Sequence, residues 1–477
     1  MNGVLALLSL VLCGLIIAVA PPLVAPYESV YGPVTAIETG KAVLLCALLA
    51  TVAGFLISRK KEYGPRLLRI FLAALLIRML VGAAIYVFNA QAFFGGDAFT
   101  YDAFGNAQLL GWGGDRYYQA MAEHFVRGET GSGWGMVYYV AVIYGLIGRN
   151  MLAVQLVNSV FGAATAVTIF LCAHHIFNNI RVAWIASLAV AFYPSLVLWS
   201  SQGLKDGPIV FFLALAMLAT LRLGAKLSAK YVLIMIVSLL ALLSLRFYVF
   251  YMVVAAIGGS FLIGMQSLTA MSFARQFVAT VFVGLALTYV GVTRSATIQY
   301  EQYGSLQSVQ RSRLDLAQSA ESGFGRDVDV STTSGAISTI PLGLTYLLFA
   351  PFPWQLASLR QSITLPEMVI WWLSFPLLVM GLWFTIRYRL RMVSPILIFT
   401  VMLTLAYSIF MGNVGTAYRQ RAQLLVFYFI FVAVGFVLVK EKREEKKRLQ
   451  MMTKQELAIE ARARLEARGA RPSLTNT

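Results

Sequence analysis

Twelve stretches of about 15 to 22 predominantly apolar residues recur along this chain, with ends placed to within a few residues, and they match the length a helix needs to cross the ~30 Å hydrocarbon core of a bilayer, about 17 to 22 residues. They run approximately over 4–22, 42–57, 70–89, 151–172, 182–200, 208–223, 231–245, 249–265, 277–292, 367–386, 394–411 and 423–440. Inside a membrane a lone segment satisfies its own backbone polar groups only as a helix. The expected fold is therefore all-α and polytopic, with about 12 transmembrane helices. Composition agrees: 59% of the 477 residues are hydrophobic and 12% charged, against about a quarter charged in a soluble domain. Soluble enzyme classes are excluded. A first run ending in Ala18-Val19-Ala20 resembles a signal-peptide cleavage site, but no basic residue precedes it and Pro21 follows, so an uncleaved span is the better expectation.

The net charge of +17 implies no nucleic-acid partner, because the basic residues lie mostly between the apolar runs. Segments 58–69, 222–230 and 387–391 carry eleven basic residues and one acid, whereas the long loops 90–135 and 294–340 together carry six basic and ten acidic. Lys and Arg collect in cytoplasmic loops. The two long loops are therefore expected outside, and parity returns the C-terminus to the cytoplasm. The expected organisation is a multi-span domain over 1–440 and a mixed-charge cytoplasmic tail over 441–477, solvated or lying on membrane lipid. The short apolar pieces 135–148 and 342–357 suit segments at the outer interface. Loop 294–340 is rich in Ser, Gln and Thr and holds few large apolar residues before Ile337. It is expected either to close over a site as a lid or to be disordered.

Polar residues then single themselves out at the expected outer face. In FFGGDAFTYD (Phe93 to Asp102), two glycines precede Asp97 just beyond the third span, and Asp102 follows five positions later. Acids this close to hydrocarbon are costly unless paired, hydrated or used; a helix start explains Asp97 equally simply. Lys205 and Asp206 sit where one span ends and the next begins, and Asp206 there also complements the helix dipole. Arg419 and Arg421 stand in an outer loop, where the orientation rule disfavours positive charge, so they need an anionic partner. Guanidinium groups bind phosphate oxygens bidentately. Arg246, at the outer end of the seventh span, either joins them or snorkels to the interface. Arg78 lies near the middle of a span, where a structural partner inside the bundle is expected.

Other signals are missing. No Walker A sequence is present, and His124, His174 and His175 do not form an HExxH motif, so ATP-driven transport and zinc hydrolysis are disfavoured. Cys13, Cys46 and Cys172 lie inside hydrophobic runs and indicate neither disulfides nor a thiolate metal site.

Taken together, Asp97 in the first large outer loop, the stretch GRNMLAVQLVNSVFGAATAV (Gly148 to Val167), and a span with Pro194 followed by Lys205-Asp206 resemble the integral-membrane glycosyltransferases of the GT-C fold. That broad group includes protein O-mannosyltransferases, aminoarabinose transferases and related bacterial enzymes. The likeness runs from about Phe94 to Leu223 and more weakly to the last span. Two departures stand out: the loop that carries Asp97 follows the third span rather than the first, so two spans precede the one it leaves, and the group's acidic pair is here Gly-Asp-Ala. The resemblance implies a multi-pass protein of the bacterial inner membrane that moves a sugar from a polyprenyl-phosphate donor to a glycan, lipid or protein acceptor on the external or periplasmic side. It implies Asp97 as catalytic base, with Asp102 as a candidate second carboxylate.

The residue types fit such chemistry. A carboxylate (Asp97, with Asp102 and Asp206 as further candidates) takes the proton of the acceptor hydroxyl as it attacks the anomeric carbon. Lys205, Arg246, Arg419 and Arg421 stabilise the departing lipid phosphate. One base in a single displacement implies inversion. No metal or other cofactor is required; a magnesium or manganese ion would find oxygen ligands in Asp97, Asp102 and Asp206. Two other readings compete. An O-antigen or exopolysaccharide polymerase or ligase would depend chiefly on Arg419 and Arg421, and a secondary transporter would need ionisable groups at the midplane.

Overall fold

A computed structural model of the chain describes residues 11–12, 14–19, 28–29, 32–33, 35–60, 62–94, 96–128, 134–263, 278, 281, 283–285, 288–289, 299, 304–318, 322–356 and 358–469. The protein is an all-α polytopic membrane protein. In chain order its principal helices are α1 (Ala36–Ser58), α2 (Gly64–Val87), α3 (Gln91–Phe94), α4 (Asp97–Trp112), α5 (Arg116–Gly128), α6 (Trp134–Ile147), α7 (Met151–Phe177), α8 (Ile180–Phe192) and α9 (Pro194–Ser200). They continue with α10 (Asp206–Ala225), α11 (Ala229–Leu245), α12 (Phe247–Ile263), α13 (Leu306–Gln318), α14 (Thr333–Phe349), α15 (Leu359–Phe410), α16 (Val414–Gln420) and α17 (Ala422–Gly469). Among the described residues six helices are long and apolar enough to span a bilayer, and the bent pair α8–α9 makes a seventh. The expected runs 231–245 and 249–265 form α11 and α12, of 17 residues each. Of the run 4–22 only part is described, as helix. Most of 277–292 and all of 470–477 lie outside the described residues.

Helix α15 contains two of the expected spans, folded back on each other at Arg389, whose φ of −135° and ψ of 17° break the helix. The reversal is visible in the partners along α16 and α17. On the first arm Glu367 meets Tyr418 of α16 and Trp371 meets Phe429 of α17; on the second Tyr407 meets Gln423 and Thr404 meets Tyr428, both of α17. Close approach of the first arm to α17 requires glycine, because a Cβ at Gly381 would stand 1.8 Å from the Phe431 carbonyl oxygen. Helix α17 then continues without a break to Gly469, so the tail expected over 441–477 prolongs the last span as a helix, exposed at its described residues.

The bundle is built round α7, which is buried along most of its length between α2, α8 and α10. The span expected over 182–200 bends by 56° at Tyr193-Pro194. Pro194 has no N–H to give the Val190 carbonyl, and the helix start frees the Ala191 carbonyl as well. Arg78 of α2 supplies both missing donors: Nη2 donates to Val190 O at 3.2 Å and Nη1 to Ala191 O at 2.7 Å, while Nε donates to Ser200 Oγ at 2.8 Å. The partner of this mid-span cation is thus the opened backbone of a broken helix. Arg78→Met is expected to lower stability by about 3 kcal/mol, since each buried carbonyl left unmet costs about 1–3 kcal/mol. Unfolding in detergent measures the change.

Candidate active site

Behind the break the chain does not leave the bundle. Residues 201–205 stay buried, held by side-chain amides on neighbouring helices. Asn158 of α7 donates to Gln202 O at 2.7 Å and to Leu204 O at 2.8 Å. The Gln202 side chain accepts from Gln91 at 2.9 Å, and Gln91 accepts from Gln155 at 3.0 Å. Tyr139 donates to Asn158 Oδ1 at 2.9 Å. This lattice fixes the backbone from which Lys205 and Asp206 project. Asn and Gln inside apolar runs are costly without partners, and the QLVNS segment (Gln155 to Ser159) signals the lattice in sequence.

Asp206 opens α10 and is buried. Its Oδ2 accepts from Arg419 Nε at 2.8 Å and Nη2 at 2.6 Å, while Arg246 Nη2 stands 3.7 Å from Oδ1. Arg419 then reaches outward with Nη1, which donates to Asp97 Oδ2 at 2.7 Å. One guanidinium therefore bridges a buried carboxylate and an exposed one, the Asp97 side chain being 55% accessible. Burial disfavours charge on Arg419, but Asp206 and then Asp97 outweigh it and raise its pKa. Tyr101, beneath the Lys205 ammonium at 5.8 Å, is pushed up by burial and further by Asp97 and Asp206.

Asp97, Lys205, Arg246 and Arg419 line one cavity of about 850 Å³. Its walls are Phe247, Tyr248 and Met252 of α12, Ala406, Tyr407 and Phe410 of α15, and one face of α13. Arg246 is only 4% exposed, and its Nε and Nη1 have no hydrogen-bond partner among the described residues. Three cations, two of them arginines, thus converge beside a carboxylate, with unused donors and apolar walls. Such an arrangement suits an amphipathic anion.

Two sequence expectations are corrected. Asp102 does not reach the cavity: it is buried on α4, where Tyr144 donates to it and Arg149 forms an ion pair with it. Its carboxylate ties α4 to the end of α6, because a buried acid needs such partners. Asp102→Asn is expected to cost on the order of 2 kcal/mol of stability, read from thermal unfolding. Arg421 also turns away from the cavity. It is buried, donates to the Ala350 carbonyl, and lies over the Tyr418 ring at 5.6 Å. The two arginines of GNVGTAYRQR therefore do not act as a pair, because α16 ends between them and sends them to different neighbours. The expected ligand set Asp97, Asp102 and Asp206 does not assemble either; no group of three His, Cys, Asp or Glu gathers among the described residues. The Arg419 guanidinium stands between Asp97 and Asp206 and bonds to both carboxylates.

Of loop 294–340, residues 294–298, 300–303 and 319–321 lie outside the described residues, and the rest is more structured than its composition suggests. Helix α13 packs on the segment before α16, with Arg313 donating to Ile409 O at 3.1 Å and to Met411 O. Phe324 N donates to Gly412 O at 2.8 Å and Val414 N to Ser322 O at 3.0 Å. Backbone hydrogen bonding and one arginine do here what apolar burial does elsewhere. Of the short piece expected over 342–357, residues 342–349 are the end of α14, a 17-residue helix, and 350–356 are irregular; the piece expected over 135–148 is α6.

Residues 134–292 match the family of dolichyl-phosphate-mannose-protein mannosyltransferases. The matched segment holds Lys205, Asp206 and Arg246, while Asp97 and Arg419 lie outside it. No curated protein matches the chain in sequence. Among solved structures it is similar to the oligosaccharyltransferase of Archaeoglobus fulgidus in its apo form, at 13% identity and a TM-score of 0.46, over 82% of this chain and 52% of that one. It is also similar to the oligosaccharyltransferase AglB of Archaeoglobus fulgidus in complex with an inhibitory peptide and a dolichol-phosphate, at 13% identity and a TM-score of 0.39, over 67% of this chain and 44% of that one. The chain spans about half the length of these archaeal proteins. Over residues 134–292, about a third of its length, the chain is thus similar to the dolichyl-phosphate-mannose-protein mannosyltransferases.

Proposed function

We propose that this protein transfers a sugar from a polyprenyl-phosphate donor to an acceptor hydroxyl, with inversion at the anomeric carbon and Asp97 as the base. The observation that carries the reading is the Arg419 bridge between Asp206 and Asp97 at the wall of a cavity that also holds Arg246 and Lys205. Asp206 grips the Nε–Nη2 edge of the guanidinium and fixes its plane, leaving Nη1 to the cavity. The donor phosphate takes Nη1 together with the unused donors of Arg246, which frees the Asp97 carboxylate for the acceptor. The acceptor oxygen attacks the anomeric carbon while its proton passes to Asp97, and the glycosidic oxygen leaves with the lipid phosphate. Charge grows on that phosphate as the bond breaks, and cations already aimed at it stabilise the transition state more than the ground state.

The Lys and Arg bias of the loops supports an orientation in which the cavity faces the external side and the C-terminal helix lies in the cytoplasm; the resemblance would make that membrane a bacterial inner membrane. The acceptor is a glycan, lipid or protein carrying a free hydroxyl. The reading is tested with purified protein in nanodiscs, supplied with radiolabelled polyprenyl-phosphate sugars and an envelope lipid extract. Label moving to a new product supports it. Retained binding of lipid-linked oligosaccharide without transfer from any monosaccharide donor favours the polymerase or ligase.

A further inference from the structure

One face of α13 also lines the cavity that holds the cations. Helical spacing brings Ser308, Ser312 and Asp315 onto a single polar strip, flanked by Val309 and Leu316, and all five line the cavity. The adjacent face carries Arg313 and Ala317, both fully buried against the segment before α16. That docking fixes the rotation of α13, because Arg313 is tethered to two carbonyls and Asn413 donates to Leu316 O at 3.4 Å. The polar strip therefore cannot roll away from the cavity without breaking these bonds.

Asp315 is out of place by charge alone. It lines a basic cavity, yet no hydrogen bond or ion pair joins it to Lys205, Arg246 or Arg419 among the described residues. A carboxylate facing a phosphate site repels the phosphate, so its partner is a neutral donor of hydrogen bonds. Two neighbouring hydroxyls of a sugar are such a partner: a carboxylate accepts from both at once, and serine hydroxyls beside it both donate and accept.

We propose that Asp315, with Ser312 and Ser308, binds the hydroxyls of the donor's glycosyl group and sets which sugar is accepted. This inference rests on the donor reading above and adds its sugar-recognising wall. The lipid phosphate then lies against Arg419 and Arg246, the sugar lies between it and α13, and Asp97 faces the anomeric carbon from the side. Like-charge repulsion from Asp315 also keeps the phosphate at the arginine end.

The test compares binding of bare polyprenyl phosphate with that of polyprenyl-phosphate mannose, glucose, galactose and arabinose, in nanodiscs, for the wild type, Asp315→Ala and Ser312→Ala. The expected result is that the wild type prefers one glycosylated lipid over the bare one. Asp315→Ala should weaken that lipid about tenfold or more, the worth of hydrogen bonds to a charged group, while the bare lipid binds as tightly as before or more tightly, since a like charge near its phosphate is gone. Ser312→Ala should weaken the glycosylated lipid less and leave the bare lipid unchanged. Retained binding of the bare lipid also reports an intact fold. In turnover, Asp315→Ala should raise KM for the donor more than it lowers kcat. Equal loss for bare and glycosylated lipids, no loss for either, or no sugar preference in the wild type each overturns the proposal. Failure of the wild type to bind bare polyprenyl phosphate would instead sink the phosphate reading, and the sugar wall with it.

Discussion

Asp97→Asn is expected to lower turnover by about 10²- to 10⁴-fold, the usual contribution of a positioned general base, with little change in donor binding or thermal stability. The carboxylate is more than half exposed and its hydrogen bond goes to Arg419 Nη1. Asn keeps the shape and still offers a carbonyl oxygen to that guanidinium, so the fold has no reason to suffer. What disappears is the capacity to hold a proton. The asymmetry between turnover and binding identifies the role: an acid that only anchored Arg419 would change both together. Single-turnover transfer from labelled donor, beside a binding measurement on the same preparation, separates the two. Wild-type rates in Asp97→Asn would remove the base and with it the mechanism.

Arg419→Gln is expected to be nearly as damaging, by a different route. It strips the phosphate of a fixed cation, and loss of one such stabilising donor lowers rates by about 10²- to 10³-fold. It also leaves Asp206 buried with only Arg246 beside it, 3.7 Å away. Bare polyprenyl phosphate should therefore bind more weakly and the protein should unfold at lower temperature, neither of which is expected of Asp97→Asn. Arg419→Lys should not restore activity, since a point charge cannot serve the buried carboxylate edge-on and offer a separate N–H to the cavity. Double replacement of Asp206 and Arg419 by Asn and Gln should recover part of the stability and none of the turnover, because removing both partners of a buried pair is milder than removing one. Full turnover in Arg419→Gln would show that the leaving phosphate is held elsewhere.

Much of this architecture is legible before any coordinate is known. The apolar runs mark the helices, since only a helix closes its own hydrogen bonds in hydrocarbon, and their basic loops group the ends into two sets. The end carrying Asp97, Lys205, Asp206, Arg246 and Arg419 follows from that count alone. Arg78 is recognisable as a residue needing a buried partner, but its partner is not: carbonyls freed by Pro194 leave no mark in the side-chain sequence. Loop 294–340 misleads in the other direction. Composition reports its lack of apolar residues, while its anchoring relies on Arg313 and on backbone bonds to residues 412–414 that are remote in sequence.

The choice among neighbouring charges lies wholly in the tertiary structure. Asp97 and Asp102 are five positions apart on one helix, and Arg419 and Arg421 flank the end of another. Residue type and spacing treat each pair alike. Rotation about the helix axis sends Asp97 and Arg419 into the cavity, and packing ties Asp102 to Arg149 and Arg421 to the Ala350 carbonyl. The sequence by itself determined a helical membrane protein with its chemistry gathered at one end, because burial of the backbone and the distribution of charge act locally along the chain. Which carboxylate meets which guanidinium was decided only by the three-dimensional packing, because ion pairs between residues 322 positions apart depend on where distant helices come to rest.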